Sequence, residues 1–309
     1  MTYCTKRVGE ITISPALFFT SQGPAWYTKH NYSEVKEGFY KDLTLLGTGN
    51  AMVTHCYNTC FALEDGGDFL LVDAGGGNGI LRQLEEANLS ISRLHHLFVT
   101  HAHTDHVLGV VWVVRAVAAA INKGNFEGTL TIWCHDSVRG IVEPLCRDLL
   151  PGKLSRHIGE RIQFMEIKPG DVLECIGMEM TVFDIFSTKA KQYGFAAKLP
   201  DGQRLVCLGD EPCHPDCREI VRGCDWLLTE AFCLYEDRER FQPYEKHHST
   251  VLDGAKLAEE LGVQHLVLYH TEDKTLATRR ERYGAEARSI YRGKVFIPDD
   301  LERISLSIE

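Results

Sequence analysis

The stretch His101-Ala102-His103-Thr104-Asp105-His106 carries four potential metal ligands within six positions. It directly follows Leu94 to Thr100, an apolar run that predicts a buried strand. Alternate side chains of an extended segment point the same way, so His101 and His103 present two imidazoles to one point. Asp105 and His106 follow in the predicted turn into the next helix, within reach of a second cation. This density of ligand types disfavours a chance gathering on a polar surface turn, so we predict a metal site.

A metal at this position predicts hydrolytic chemistry. Two cations about 4 Å apart can hold an attacking water and a leaving oxygen together, and a bound cation lowers the pKa of water toward neutrality. Metal-bound hydroxide is then available at pH 7, and the sequence has neither a G-x-S-x-G nor a G-x-x-x-x-G-K motif. His95-His96, by contrast, lies inside the strand pattern, which favours a structural role.

The remaining pattern predicts an α/β protein. Val107 to Ile121 is apolar nearly all round, which is typical of a central buried helix. Cys60 to Leu63 and Phe69 to Val72 flank a glycine-containing turn and predict a β-hairpin. Asn78 is expected to cap a helix that runs to about Ala87.

Further strands and helices alternate along the chain. The strands are predicted at Leu43 to Leu46, Leu130 to Cys134, Ile162 to Ile167, Glu179 to Phe186, Phe195 to Leu199, Arg204 to Leu208, Trp226 to Thr229 and His265 to Tyr269, and the helices at about 137–149, 249–261 and 276–291. Strands grouped early and late, with helices between them, fit two packed β-sheets that carry helices on their outer faces.

Composition predicts a globular chain with one large domain. Of the 309 residues, 44% are apolar and 25% are charged, which leaves ample material for a core. Residues 1–41 lack sustained periodicity and are interpreted as an N-terminal extension, and residues 42–309 as the hydrolase domain. Such an extension can cross to a second subunit, so a homodimer is predicted.

Charge and hydropathy disfavour several classes of partner. The formal net charge of −10 repels nucleic acid unless a basic groove compensates for it. Because Arg115 interrupts the longest apolar run, no membrane span is predicted. The first 25 residues lack the pattern of a signal peptide, so the cytoplasm is the expected compartment. The eleven scattered cysteines are expected to be reduced and mostly buried.

The segment 101–106 resembles the HxHxDH signature of the metallo-β-lactamase superfamily. From about Asp42 to the C-terminus its surroundings resemble the ribonuclease Z branch, and the segments that carry this resemblance are Leu46-Gly47-Thr48-Gly49-Asn50-Ala51, Asn58 and Val72-Asp73-Ala74-Gly75. The resemblance implies a metallo-β-lactamase αββα sandwich, in which two mixed β-sheets are flanked by helices.

A ligand set also follows from the resemblance. Leu208-Gly209-Asp210 resembles the Gly-Asp motif that bridges two metals, and Leu268-Tyr269-His270 resembles the strand that delivers the last histidine. The implied metal ligands are His101, His103, Asp105, His106, Asp210 and His270. The implied cofactor is Zn²⁺, one or two ions per chain, with Mn²⁺ or Fe²⁺ as alternatives. Without the resemblance, an aspartate at a strand end, such as Asp210, is more often explained by its role in a turn than by metal binding.

The same branch carries a pair of residues that handle protons, a glutamate that orients a histidine. Glu230, in Thr229-Glu230-Ala231-Phe232, and His248, in His248-Ser249-Thr250, match these positions. The resemblance implies that His248 is a general acid for the leaving group, because a carboxylate can hold the pKa of a histidine near the working pH. The alternative is an exposed histidine beside a helix that Ser249 or Thr250 caps.

One ligand of the branch is missing. A site histidine of ribonuclease Z stands six residues before the glycine of a Gly-Tyr-Arg-Ile strand, and counting back from Gly194 gives Thr188. Three outcomes are open: a weaker first site, a replacement ligand such as His135, His157 or Glu211, or a single metal held by Asp105, His106, Asp210 and His270. Lys189 and Lys191 lie beside the missing ligand, where they either hold a substrate phosphate or are solvated.

The expected substrate is a small molecule or a short phosphodiester. Gly194 and Gly209 are only fifteen positions apart, which leaves no room for the arm with which ribonuclease Z grips tRNA. The run Arg279-Arg280-Glu281-Arg282 is interpreted as a solvated helix face, and Cys213-His214-Pro215-Asp216-Cys217 as a loop with free thiols.

The leading hypothesis is hydrolysis of a phosphodiester or a related small ester, with Asp105 orienting the nucleophile and His248 protonating the leaving group. A lactone or thioester hydrolase of the same fold is the first alternative. A non-catalytic binding protein with a degraded metal site is the second.

Overall fold

The structure, a computed structural model, describes residues 41–307, so the predicted extension at residues 1–41 and its role in a dimer lie outside the described residues except for Lys41. The strands of the described part are β1 (Asp42–Gly47), β2 (Cys60–Glu64), β3 (Phe69–Val72), β4 (Leu94–Phe98), β5 (Leu130–Cys134), β6 (Ile162–Glu166), β7 (Val172–Cys175), β8 (Met178–Asp184), β9 (Tyr193–Lys198), β10 (Arg204–Cys207), β11 (Trp226–Glu230), β12 (His265–Tyr269), β13 (Lys294–Phe296) and β14 (Glu302–Ser305). The α-helices are α1 (Gly79–Glu86), α2 (Thr104–Asn122), α3 (Asp136–Leu149), α4 (Gly152–Ser155), α5 (Arg218–Val221), α6 (Arg238–Phe241), α7 (Val251–Leu261) and α8 (Leu276–Arg288).

The strands form two mixed sheets of seven strands each. The first sheet has the order β14-β1-β2-β3-β4-β5-β6, and the second has the order β13-β12-β11-β10-β9-β8-β7. In the first sheet β3 to β6 are parallel, and in the second β10 to β13 are parallel. The remaining neighbours pair in the antiparallel sense. This arrangement confirms the predicted αββα sandwich.

Three apolar layers hold the sandwich together, and side-chain alternation along the strands sorts residues among them. Leu43 and Leu45 of β1 join Phe61 and Leu63 of β2 in the core between the sheets. Leu46 faces the opposite way and packs with the outer helices of the first sheet. Because successive residues of a strand point to opposite faces, a sheet buried on both sides needs such continuous apolar runs. A third core covers the outer face of the second sheet.

The fold brings the carboxyl ends of several strands to the predicted site. Asp73 follows β3, His101 follows β4, Asp210 follows β10 and His270 follows β12. Tyr193 at the start of β9 donates its backbone N–H to the carbonyl of Thr100, 3.1 Å away, which ties the two sheets together at this edge. Ligands in α/β sheets bind outside the carboxyl ends of the strands, and the site follows that rule.

The structure differs from the predicted elements at the sheet edges and at two helix starts. The strands β7, β13 and β14 were not predicted, and each is a short edge strand without a continuous apolar run. The side chain of Asn78 makes no capping hydrogen bond, so its predicted cap is wrong. Helix α2 begins at Thr104, three residues before the predicted start, because its first turn is polar and lacks the apolar pattern.

The segment Arg279-Arg280-Glu281-Arg282 is only partly the solvated helix face that the sequence predicts. Arg280 and Arg282 are exposed or partly exposed and pair with acidic side chains, as expected for a solvated face. Arg279 is buried, with a relative exposure of 1%, and its guanidinium donates to Thr48, Thr271 and the carbonyl of Pro298. The helix turns this side chain inward because the loops around it offer oxygen acceptors that replace water.

Helix α2 is the central helix of the first outer layer. By length and composition it is apolar enough to cross a membrane, but half of that stretch is buried inside the fold, as in a core helix. Gly109 lets the helix approach the sheet, because a Cβ atom there would lie 1.8 Å from the carbonyl oxygen of Ala74. The close approach brings the first turn of α2, with Asp105 and His106, to the strand ends.

This packing predicts that alanine substitutions at two helical glycines change the free energy of unfolding in opposite directions. Gly109→Ala is expected to lower the free energy of unfolding by about 3 kcal/mol, since the added methyl group meets backbone that cannot move away easily. Gly140→Ala in α3 is the matched control, because a Cβ there meets nothing within 4 Å. It should raise stability by about 0.5–1 kcal/mol through helix propensity. Urea unfolding of the two variants measures both changes, and equal stability of the two would contradict the close packing of α2.

Candidate metal centre

Four segments of the fold bring the ligand-type side chains to one point. His101 and His103 lie in the extended segment between β4 and α2, and Asp105 and His106 lie on the first turn of α2. Asp210 and His270 follow β10 and β12 of the other sheet. Of these six predicted ligands, all but His103 are buried. The structure therefore brings together residues that are up to 169 positions apart in the sequence (101 to 270).

The carboxylate of Asp210 lies at the centre of this cluster. Its Oδ2 atom is 3.6 Å from Nε2 of His101, 3.8 Å from Nε2 of His106 and 3.6 Å from Nε2 of His270. Nε2 of His106 is also 3.4 Å from Oδ2 of Asp105. Three imidazole nitrogens, from segments next to both sheets, thus converge on one buried carboxylate.

The six donors form two neighbouring groups of three. Ligand atoms of Asp105, His106 and His270 lie within 4.8 Å of one another, and those of His101, His103 and Asp210 form a second group of the same size. Within the second group, His101 Nε2 and His103 Nδ1 are 2.8 Å apart, within hydrogen-bond distance of each other. The first group has Asp210 beside it as a fourth donor, whereas the second has three donors in all.

Hydrogen bonds orient two of the imidazoles through their other ring nitrogen. His106 Nδ1 lies 2.7 Å from the carboxylate of Asp73, and His270 Nδ1 lies 3.0 Å from the hydroxyl of Thr59. The Asp73 carboxylate is itself held by the backbone N–H and hydroxyl of Thr100. Such outer partners fix which nitrogen faces a metal and keep the ring from rotating.

The charges of the two carboxylates suit a cation. Burial alone would raise the pKa of Asp210, but the surrounding imidazoles hold it well below the usual range. Burial would likewise raise the pKa of Asp105, and His106 outweighs that effect, so this carboxyl also stays ionised at neutral pH. Two buried negative charges within one cluster of imidazoles create a strongly negative point at the edge of the sandwich.

The histidines divide into neutral and cationic rings. Burial lowers the pKa of His101 well below its ordinary value and that of His270 to about 4, so both rings are neutral at pH 7. Burial also opposes protonation of His106, but Asp105 and Asp73 outweigh it and raise its pKa well above the usual range. Metal ligands must be deprotonated, so His101 and His270 are ready to bind a cation, whereas His106 would first lose a proton.

A divalent cation fits this donor set. Nε2 of His106 and Oδ1 of Asp210 are buried without a hydrogen-bond partner among the described residues. Such an unsatisfied group costs about 1–3 kcal/mol when nothing compensates for it. Imidazole nitrogens and carboxylate oxygens are ligands that zinc takes in proteins, so the unpaired atoms are those that a bound cation would satisfy.

The predicted proton-handling pair also lies at the site. Nδ1 of His248 is 3.7 Å from Oε2 of Glu230, and neither atom has a closer polar partner among the described residues. Glu230 is held by the backbone N–H of Ser249, 2.6 Å away. Burial raises the pKa of Glu230 to about 8 and lowers that of His248 to about 3, so at neutral pH this pair carries a single proton. Thr250, not Ser249, caps α7 through a capping box.

An open pocket of about 470 Å³ leads to these groups. Its wall includes Asp105, Asp210, His248 and His270, together with two cationic side chains, Lys189 and Lys246. The ring of Phe232 lies between Lys246, whose Nζ atom is 4.9 Å from the ring centre, and the stacked ring of His248, whose centre is also 4.9 Å away. The pocket thus offers negative charge at its floor and positive charge with an aromatic ring at its side.

None of the candidate replacements for the missing histidine lies in the metal cluster. The hydroxyl of Thr188 lies 2.9 Å from Nδ1 of His247, outside the metal cluster. His157 bonds Asn122, and His135 does not belong to any ligand group among the described residues. Glu211 accepts hydrogen bonds from the hydroxyl of Ser187 and the N–H of Thr188. None of the three proposed replacements therefore completes the group of His101, His103 and Asp210.

Several residues around the site were not predicted to act there. Asp73 directly follows a strand parallel to β4, and that placement is a sequence signal from which its contact with His106 could have been inferred. Thr59 and Lys246 carry no such signal: Thr59 contacts His270 from the position before β2, and Lys246 lines the pocket from the segment before α7. Lys191, by contrast, pairs with Asp136 at 2.6 Å and does not line the pocket. In the loop at 213–217, Cys213 and Cys217 are free thiols, as predicted, and Cys217 is buried.

Sequence comparison identifies relatives of this chain. The family model described as "Anti-Pycsar protein Apyc1" matches residues 41–296. The chain is 23% identical over 304 residues to a ribonuclease Z of Thermococcus sibiricus, a match that covers 86% of this chain and 96% of the relative. A ribonuclease Z of Pseudomonas putida is 27% identical over 311 residues, covering 86% and 97%. These matches confirm the resemblance to the ribonuclease Z branch.

Solved structures confirm the fold. The metallo-β-lactamase fold protein YhfI from Bacillus subtilis superposes with a TM-score of 0.69 at 18% identity, over 86% of this chain and 99% of that chain. A diphosphatase from the PhnP family gives 0.64 at 17% identity, covering 86% and 97%. Zn²⁺-bound PqqB from Methylobacterium extorquens gives 0.64 at 14% identity, covering 86% and 100%. The chain therefore has the metallo-β-lactamase fold.

The hydrogen bond between His106 and Asp73 yields a prediction about metal affinity. Asp73→Asn removes the charge that orients and polarises His106, and asparagine tolerates the positive φ of 56° at this position. The variant should bind Zn²⁺ about 10–100-fold more weakly, as measured by competition with a chelator. Asp68→Asn is the control, because Asp68 lies 4.0 Å from another histidine, His95, which is not one of the six ligand residues. Equal affinity in the two variants would contradict the orienting role.

Proposed function

The chain belongs to the anti-Pycsar protein Apyc1 family, and we propose that it is a metal-dependent hydrolase that cleaves a phosphodiester or a related small ester. One observation carries the proposal. The buried carboxylate of Asp210 lies at the floor of an open pocket with three imidazole nitrogens within 3.8 Å, and two of the atoms in this cluster lack any hydrogen-bond partner among the described residues. The relatives named ribonuclease Z and the diphosphatase with the same fold support this class of reaction.

Asp105, His106, Asp210 and His270 are the proposed ligands of one cation, with His101 and His103 beside them. Zn²⁺ is the proposed ion, since imidazole and carboxylate are among its usual ligands, and Mn²⁺ or Fe²⁺ are the alternatives. When bound, such an ion lowers the pKa of water toward neutrality and polarises a phosphoryl oxygen. The zinc-bound protein of the same fold supports the choice.

The side chains around the pocket would then position the substrate and move its protons. Lys189 and Lys246 attract the anionic oxygens of a phosphodiester to the pocket. Asp105 orients the attacking water by accepting a hydrogen bond from it. His248 lines the pocket next to Glu230, and through it the one proton that this pair carries at neutral pH would pass to the leaving oxygen.

The size and charge of the molecule favour a small substrate. A pocket of about 470 Å³ is of the size that takes small molecules. The net charge of −10 opposes a long nucleic acid, and the two pocket lysines are enough to hold a single phosphate group. A cytoplasmic homodimer is proposed from the sequence pattern alone.

Purified protein is expected to hold at least one metal ion per chain and to cleave a generic phosphodiester, bis(4-nitrophenyl) phosphate, when Zn²⁺ or Mn²⁺ is present. Asp210→Asn should lose both properties, because the carboxylate is shared by all the ligand histidines. Elemental analysis and release of 4-nitrophenolate measure the two. Less than about 0.2 metal per chain without cleavage would refute the proposal and leave a binding protein. Metal binding with cleavage of only a lactone or a thioester would change the substrate class.

His248→Ala should lower kcat by about 10²–10⁴-fold, the usual contribution of a general acid, while the metal content stays the same. His214→Ala is the matched control, since His214 is an exposed histidine that does not line the pocket. Steady-state kinetics and elemental analysis of both variants test this role. An equal loss of metal and turnover in His248→Ala would show that His248 acts as a ligand, which its position within 4.8 Å of Asp210 and His270 allows.

A further inference from the structure

We infer that this centre holds one metal ion per chain rather than two, and that the ammonium group of Lys189 occupies the other metal position, where it binds an anionic oxygen of the substrate. The inference rests on the proposed function, because it concerns the same site. Its basis is the group of His101, His103 and Asp210, which has three donors and no fourth among the described residues.

Lys189, the residue after the position of the missing histidine, places its ammonium group beside the carboxylate that would bind a second cation. The Nζ atom of Lys189 is 3.9 Å from Oδ2 of Asp210, 3.7 Å from Oε1 of Glu211 and 3.5 Å from Nε2 of His248. Its side chain is only 20% exposed. Lys189 therefore shares with His101 the same carboxylate oxygen of Asp210 that a metal at the first position would need.

The loop that carries Lys189 is fixed in this conformation. The hydroxyl of Ser187 donates to Glu211 at 2.5 Å and accepts the backbone N–H groups of Lys189 and Ala190, each at 3.2 Å. Thr188 donates its N–H to the other oxygen of Glu211, and its side chain points to His247. The backbone is thus held so that position 188 faces away from the cluster and position 189 faces into it.

Charge then decides how many cations the site takes. A divalent ion at Asp105, His106, Asp210 and His270 already uses the charges of both carboxylates. A second divalent ion beside His101 and His103 would meet the Lys189 ammonium across the shared oxygen of Asp210, and like charges at such distances repel strongly in a buried site. Glu211, the remaining carboxylate, is 3.7 Å from the same ammonium and is engaged by the loop.

An ammonium group at this position can do for a substrate anion what a second metal does. It is a compact cation with three donors, it lines the pocket, and it lies beside the proposed acid His248. An anionic oxygen bound there is held between Lys189 and the proposed metal. Lys191, two residues away, cannot take this role because it pairs with Asp136 outside the pocket.

Metal stoichiometry tests the inference without relying on activity. The protein, loaded with three equivalents of Zn²⁺ and desalted, is expected to hold one ion per chain by native mass spectrometry and elemental analysis. The variant Lys189→Glu replaces the ammonium with a carboxylate at the position that faces the cluster and so supplies a fourth donor, and it should hold two. Lys191→Ala is the matched control and should hold one. Thermal melting checks that each variant is folded.

Binding of inorganic phosphate provides a second test that does not depend on building a second metal position. Lys189→Gln should weaken phosphate binding to the zinc-loaded protein about tenfold by isothermal titration calorimetry, and Lys191→Gln should leave it unchanged. Two ions per chain in the unmodified protein, one ion in folded Lys189→Glu, or equal phosphate affinity in the two glutamine variants would each overturn the inference. The absence of any bound metal would instead refute the proposed function itself.

Discussion

The buried carboxylate of Asp210 is the constraint on which the site depends. A carboxylate removed from water is stable only when opposite charge or hydrogen bonds compensate, and removing one partner of a buried pair typically costs about 3–5 kcal/mol. Here the opposite charges are the protonated ring of His106 and the ammonium of Lys189, 3.8 and 3.9 Å from Oδ2 of Asp210, and the rings of His101 and His270 reach the same oxygen from segments that follow strands of the two sheets. The same carboxylate therefore joins the two halves of the sandwich and creates the negative point at which a cation is proposed to bind.

The backbone conformation just after two of the strands turns side chains toward the cluster around Asp210. Asp73 and His270 both have positive φ, 56° and 58°, a region that residues other than glycine rarely adopt and that costs about 1–2 kcal/mol. Each turns sharply after its strand, and each then faces the cluster, Asp73 behind His106 and His270 beside Asp210. Strain of this kind collects at functional sites, where the surrounding packing maintains it.

Much of this architecture could be predicted from the sequence, and the failures have physical causes. The segment 101–106 holds four of the six ligand residues as a local signal, and Asp210 and His270 follow only from the resemblance to the ribonuclease Z branch. The edge strands β7, β13 and β14 are short and lack a continuous apolar run, so the sequence does not predict them. Arg279 was assigned to a solvated face because its oxygen acceptors come from distant loops. The direction of Lys189 was equally hidden, since the contact between Ser187 and Glu211 that fixes it spans 24 positions.

The central claim is that a cation binds among Asp105, His106, Asp210 and His270. An anomalous difference map at the zinc absorption edge, from crystals of the Zn²⁺-loaded protein, tests it most directly. The account predicts one peak bounded by these four side chains, with the ammonium of Lys189 rather than a second peak near His101 and His103. A map without a peak in this pocket, or with its only peak elsewhere on the molecule, would contradict it.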